Sequence, residues 1–174
     1  IVLIFDEVQT GLGRTGTFWY CQQIGIYPDM ITSAKGIAGG LPISAVLIKE
    51  KISKTIKISE HATTFGGGPL VCSAGLANIN FILKKNFLKK VNEKSIYLVT
   101  KLKEIKQIEE VLGKGFLLGI KLKEVPANFV KICLEKGIIL GSSYKKDVFR
   151  LMPPLTVSLS EIDKFIKILK SVLQ

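Results

Sequence analysis

Ile1-Val2-Leu3-Ile4-Phe5-Asp6 is a continuous apolar run closed by a carboxylate, the pattern of a parallel strand buried on both faces. A second strand-like stretch, Met30-Ile31-Thr32-Ser33, leads through Ala34 to Lys35 and Gly36. Open α/β sheets meet their ligands at the carboxyl ends of such strands, so Asp6 and Lys35 become candidate site residues. A buried strand is a poor place for a chain to begin, and neither a basic leader nor a small-residue cleavage site accompanies it. We therefore expect the sequence to be the C-terminal part of a longer protein.

Outward from this strand, eleven of the 16 glycines fall within residues 1–75, which reads as strands and helices joined by Gly-rich loops. The expected elements are a strand over 1–5, a helix over 18–24, and strands over 30–33 and 45–48. A helix then opens at Pro69, a favoured first helical residue, and runs towards Leu83. A second helix covers about 88–105. Beyond the Gly113-Lys114-Gly115 turn a smaller α/β pattern follows, with strands over 116–122, 138–140 and 148–151 and a helix over 127–136. A closing helix starts at Ser160, with Glu161 and Asp163 in its first turn. A boundary near residue 88 separates residues 1–88 from 89–174.

The 174 residues are 47% hydrophobic and 22% charged, which excludes disorder and collagen-like repeats. The net charge of +11 raises a nucleic-acid role. Of the 25 basic residues, however, only Arg14 and Arg150 are arginine, the residue that grips phosphate and guanine bidentately. The lysines from Lys84 to Lys106 sit on helical apolar spacing and read as a solvated helix face. A basic nucleic-acid-binding module built on that face is the non-enzyme alternative; it predicts salt-sensitive binding that survives Lys35→Ala. Cys21, Cys72 and Cys133 are far apart and accompanied by one histidine, so we expect no disulfide framework, no metal site and a reducing cytoplasm. No apolar run is long enough to span a bilayer.

Four segments carry candidate chemistry. Gly11-Leu12-Gly13-Arg14-Thr15-Gly16 has dinucleotide-site spacing, but Asp6 to Thr10 separate it from the strand and the acid expected at the next strand's end is missing. Lys35 lies among small and apolar neighbours, surroundings that favour the free amine of a Schiff-base lysine. Thr63-Thr64-Phe65-Gly66-Gly67-Gly68-Pro69 brings hydroxyls and backbone amides to a helix start, as an anion site requires, or is a plain Gly-rich loop. Arg150, between an apolar strand and Pro153-Pro154, suits a substrate carboxylate or a structural ion pair.

Together these segments resemble the class III pyridoxal-phosphate aminotransferases, with the acetylornithine branch nearest. The resemblance rests on Phe5 to Gly16, Pro28 to Ile43, His61 to Pro69, the Gly113-Lys114-Gly115 turn and Arg150 to Leu155. Ala62, Gly68 and Leu112 depart from the usual motifs. The resemblance implies fold type I, with the later part of a large, mainly parallel-sheet domain over 1–88 and a small C-terminal α/β domain over 89–174. It implies transamination between an ω-amino donor, N-acetylornithine first and ornithine or 4-aminobutyrate otherwise, and 2-oxoglutarate. Lys35 would be the Schiff-base and proton-transferring residue. Asp6 would pair with the pyridinium nitrogen, Val8 would pack on the ring, and Gln9 would bind its phenolic oxygen. Thr64 would reach the phosphate of a partner subunit's cofactor in a homodimer, and Arg150 would hold the α-carboxylate of glutamate. The family's phosphate loop, stacking aromatic and glutamate partner of the arginine would lie upstream of Ile1, so this stretch is not expected to work alone.

Overall fold

Strand β1 (Ile4–Asp6) lies parallel to β2 (Met30–Ser33), with Asp6 level with Thr32. Strand β3 (Ala45–Ile48) pairs antiparallel with the other edge of β2. The structure, a computed structural model describing residues 1–174, places this sheet in the first of two units, Ile1–Leu88, followed by Lys89–Gln174.

The first strand begins three residues later than the apolar run suggests, because β2 offers partners only from Met30 onward. Asp29 caps the ladder: its Oδ2 accepts from the Leu3 amide at 3.0 Å, and the Asp29 and Met30 amides donate to the Leu3 carbonyl. Asp29 also receives Lys49 and Lys51 at 3.2 and 3.3 Å, and these donors, with the Leu3 amide foremost, hold its carboxyl down to about 2. The strand is also not buried within its own unit. Ile4 is 55% exposed and Val46, on β3, is 57% exposed.

Residues 7–20 run through turns, which shorten the expected helix at 18–24 to α1 (Cys21–Ile24). Two contacts fix this path. The buried Glu7 accepts from the Cys21 amide through Oε1 at 2.9 Å, and Gly11 lies so close beneath Trp19 that a Cβ there would stand 2.7 Å from the ring. A short α2 (Glu50–Ser53), not expected from the sequence, follows β3. Helix α3 (Pro69–Ile82) starts at Pro69 as its chemistry dictates, and α4 (Phe87–Lys103) follows.

In the second unit, β4 (Ile108–Lys114), β5 (Leu117–Leu122) and β6 (Val148–Leu151) form an antiparallel sheet in that order, with α5 (Phe129–Glu135) and α6 (Leu159–Leu173). Strand β4 was not expected. Residues 138–140 form no strand, because only an isolated bridge between Gly141 and Arg150 pairs that stretch with β6. Gly113, in β4 just before the turn at residues 115–116, takes φ 94°, and a Cβ there would stand 2.1 Å from the Leu117 carbonyl oxygen. Helix α6 is capped by Ser158, not Ser160: Ser158 Oγ accepts from the Glu161 amide at 3.2 Å, and Glu161 Oε2 accepts from the Ser158 amide at 2.7 Å. Phe116, Leu98, Leu102, Ile120, Leu122 and Leu169 are almost fully enclosed and form the core of this unit.

Candidate active site

Asp6 ends β1, and Lys35 stands just beyond the end of the adjacent parallel strand β2, so the two share the carboxyl edge of the pair. Asp6 Oδ1 accepts two hydrogen bonds, from the Val8 amide at 3.0 Å and from Thr32 Oγ1 at 3.1 Å. Both donors engage one oxygen, and Oδ2 carries no hydrogen bond. The Val8 bond turns the chain directly after the strand, which sets Val8, half-buried, and Gln9, exposed, beside Asp6 in sequence and space. Thr32 has no catalytic signature in the sequence; only the parallel register brings its hydroxyl to Asp6.

Lys35 is exposed, contrary to the expectation of enclosing apolar neighbours. Its flanking Gly36, Gly39, Gly40 and Leu41 are exposed as well, so the small residues leave the side chain open instead of desolvating it. Its backbone is unusual: φ is 35°, in the left-handed region that a residue with a Cβ adopts at a cost. Thr63, Thr64 and Phe65 are exposed in the loop that leads to Gly68 and α3. The Gly11 to Gly16 segment does not open a helix. It is tied down by Thr15 Oγ1 donating to the Thr10 carbonyl at 3.2 Å and Gln23 Nε2 donating to the Thr15 carbonyl at 2.7 Å. Burial pushes the Arg14 guanidinium below its ordinary pKa.

Arg150 lies in β6 of the second unit with its side chain exposed, and its backbone exchanges two hydrogen bonds with Gly141, at 2.8 and 3.0 Å. The segment that follows is pinned by Lys94, whose Nζ donates to the Val157 carbonyl at 2.6 Å and the Leu155 carbonyl at 3.3 Å. Lys94 is thus an exception to the solvated face expected of the α4 lysines, and partial burial lowers its pKa. Two concavities of the structure contain no candidate residue. One of about 460 Å³ is lined by apolar groups such as Leu98, Met152 and Pro153, and one of about 210 Å³ lies by Pro28 to Ile31 and Leu47 to Lys49. No cluster of potential metal ligands occurs, the three cysteines are free, and no helix is long and apolar enough to cross a membrane.

A carboxylate and a lysine thus stand at neighbouring strand ends, and a hydroxyl- and amide-rich loop precedes a helix in the same unit. Residues 1–173 match the family described as aminotransferase class-III, and the chain belongs to that family, which uses pyridoxal phosphate on fold type I. It is 43% identical over 176 residues to an acetylornithine aminotransferase of Methanocaldococcus jannaschii, covering 99% of this chain and 44% of that protein. It is 42% identical over 172 residues to the mitochondrial acetylornithine aminotransferase of Alnus glutinosa, covering 97% of this chain and 38% of the relative. Among solved structures it resembles the acetylornithine aminotransferase of Elizabethkingia anophelis (TM-score 0.91, 28% identity, 99% of this chain and 48% of that one). It is comparably similar to the ornithine δ-aminotransferase of Plasmodium falciparum (TM-score 0.90, 30% identity, 99% and 47%). The chain thus spans less than half the length of these relatives.

The residues present fit pyridoxal phosphate on their own chemistry. Asp6 offers an unbonded carboxylate oxygen to a protonated ring nitrogen, and Lys35 offers an accessible amine to an aldehyde.

Proposed function

We propose that this chain is the later part of a pyridoxal-phosphate-dependent transaminase moving an amino group from N-acetylornithine to 2-oxoglutarate, giving the semialdehyde and glutamate, as in arginine biosynthesis. The observation that carries the reading is the placement of Lys35 and Asp6 at the carboxyl ends of two adjacent parallel strands, within a chain that matches the family throughout. On this reading residues 1–88 are the later part of the large cofactor-binding domain and 89–174 the small C-terminal domain. The acetylornithine relatives support the donor assignment. The likeness to ornithine aminotransferases makes ornithine the second reading, and 4-aminobutyrate stands behind both.

When bound, pyridoxal phosphate supplies the electron sink that makes loss of a proton from the amino-bearing carbon feasible. Lys35 Nζ would hold the cofactor by its aldehyde and, as a free amine, would carry the proton taken from the amino-bearing carbon. Asp6 accepts from the ring N–H and keeps that nitrogen protonated. Val8 packs on the ring face, and Gln9 bonds the phenolic oxygen. Thr64 bonds the phosphate of the cofactor in the other subunit of a homodimer, and Arg150 grips the α-carboxylate of glutamate or 2-oxoglutarate bidentately. The free thiols Cys21, Cys72 and Cys133 support a cytoplasmic setting.

The test compares kcat/KM of the complete protein for acetylornithine, ornithine and 4-aminobutyrate, beside Lys35→Ala. Acetylornithine is expected to lead, and Lys35→Ala to lower turnover about a thousandfold. A lead for ornithine selects the second reading, and salt-sensitive binding of DNA or RNA without any pyridoxal phosphate binding overturns both.

A further inference from the structure

The strained backbone at Lys35 needs something to hold it. A left-handed conformation at a residue with a Cβ is strained and persists only where the surroundings over-determine it. The two residues after Lys35 are gripped from a single helix far along the chain. Asn78 of α3 donates through Nδ2 to the Gly36 carbonyl at 2.6 Å and to the Ile37 carbonyl at 3.0 Å, spanning 42 and 41 residues of sequence.

One turn earlier on the same face of α3, Gly75 faces the same loop; a Cβ there would meet the Ile37 side chain at 3.4 Å and Ala38 at 4.0 Å, ordinary packing distances. Ile37 and Ala38 are buried by this packing, at 7% and 5% exposure, whereas Lys35 and Gly36 stay open. The Gly36 and Ile37 carbonyls lie in a turn, where no continuing helix or strand satisfies them. An amide side chain with two hydrogens bonds both at once, which no hydroxyl or apolar side chain can do. We propose that Asn78 is a positioning residue for Lys35, fixing the lysine loop so that Nζ is presented at the carboxyl edge of β1 and β2. The inference rests on the reading of Lys35 as the cofactor-holding residue.

The test uses the complete protein and three variants, Asn78→Leu, Asn78→Ser and Lys35→Ala, with turnover and the visible circular dichroism of the lysine-linked cofactor as readouts. The dichroism reports how the cofactor is oriented and does not depend on turnover. Asn78→Leu, near in volume and without donors, is expected to lower kcat about tenfold or more. The same change should leave KM for both substrates within about twofold and at least halve the dichroism per bound cofactor. Asn78→Ser, with one donor, falls between Asn78→Leu and the parent; should Asn78→Leu fail to fold, the same two readouts on Asn78→Ser decide. A parent-like kcat and dichroism in the Asn78 variant, with Lys35→Ala devoid of the lysine-linked band, overturns the proposal alone. A band that survives in Lys35→Ala overturns the reading beneath it.

Discussion

The two halves of the chain enclose their apolar residues to different degrees. In residues 89–174 the sheet β4–β5–β6 and helices α4 to α6 bury Phe116, Leu98, Ile120, Leu169 and their neighbours almost completely, and α6 is closed by a full capping box. In residues 1–88 the buried cluster is small, centred on Leu12, Ile37 and Ile82, while Ile4, Val46 and Leu47 on the sheet and Leu70 and Leu76 on α3 stay open. A sheet with a parallel pair is stable only when both its faces are covered. The second half meets its own packing requirement, whereas the first half, which carries Asp6, Val8, Gln9, Lys35 and Thr64, does not. The residues proposed to hold the cofactor thus lie in the less enclosed half, while Arg150 stands in the better enclosed one.

The sharpest way to break this contrast is to separate the halves. Residues 89–174 alone are expected to melt cooperatively by circular dichroism and to show dispersed amide resonances, and residues 1–88 alone to bind a hydrophobic dye without a cooperative melt. A cooperative melt of residues 1–88 would remove the contrast. Next in size come core truncations. Phe116→Ala, at a fully enclosed position, should cost about 3–5 kcal/mol in denaturant unfolding, and Val46→Ala, at an open one, under about 1 kcal/mol in the chain as it stands. Ser158→Ala removes the cap of α6 and should cost about 1 kcal/mol.

The smallest effect concerns Asp29, whose carboxyl is bonded by the Leu3 amide, Lys49 and Lys51 and titrates at about 2 instead of 3.8. Because the folded value is depressed, the carboxylate stabilises the fold above the unfolded value, and that contribution fades as pH falls towards about 2. The substitution Asp29→Asn should therefore lower the melting temperature slightly at neutral pH, with the gap to the parent closing between about pH 4 and pH 2, as thermal melts across that range would show.

Strands β2 and β3 were legible to the residue, because each is a short apolar run bounded by turn-forming or charged neighbours. Strand β4 was not: Ile108 to Lys114 carries Glu109 and Glu110 at a register shift, so its pattern has no clean alternation. The start of α6 was misplaced by two residues although Ser158 and Glu161 stand at capping-box spacing, because Ser160 competes for the same role. The strand-end placement of Asp6 and Lys35 could be read because their strands are written in local apolar runs. Thr32 and Asn78 could not, since one acts through the register of two strands 26 residues apart and the other across 42 residues. The exposure of Lys35 was missed for a related reason: a run of small residues says what surrounds the lysine in sequence but not what covers it in space.

The central claim is that Lys35 holds the cofactor, and it can be tested by reducing the complete protein with borohydride in the presence of pyridoxal phosphate and mapping the modified peptide by mass spectrometry. One stoichiometric pyridoxyl group is expected on Lys35. Modification scattered over the surface lysines, or none at Lys35, would contradict it.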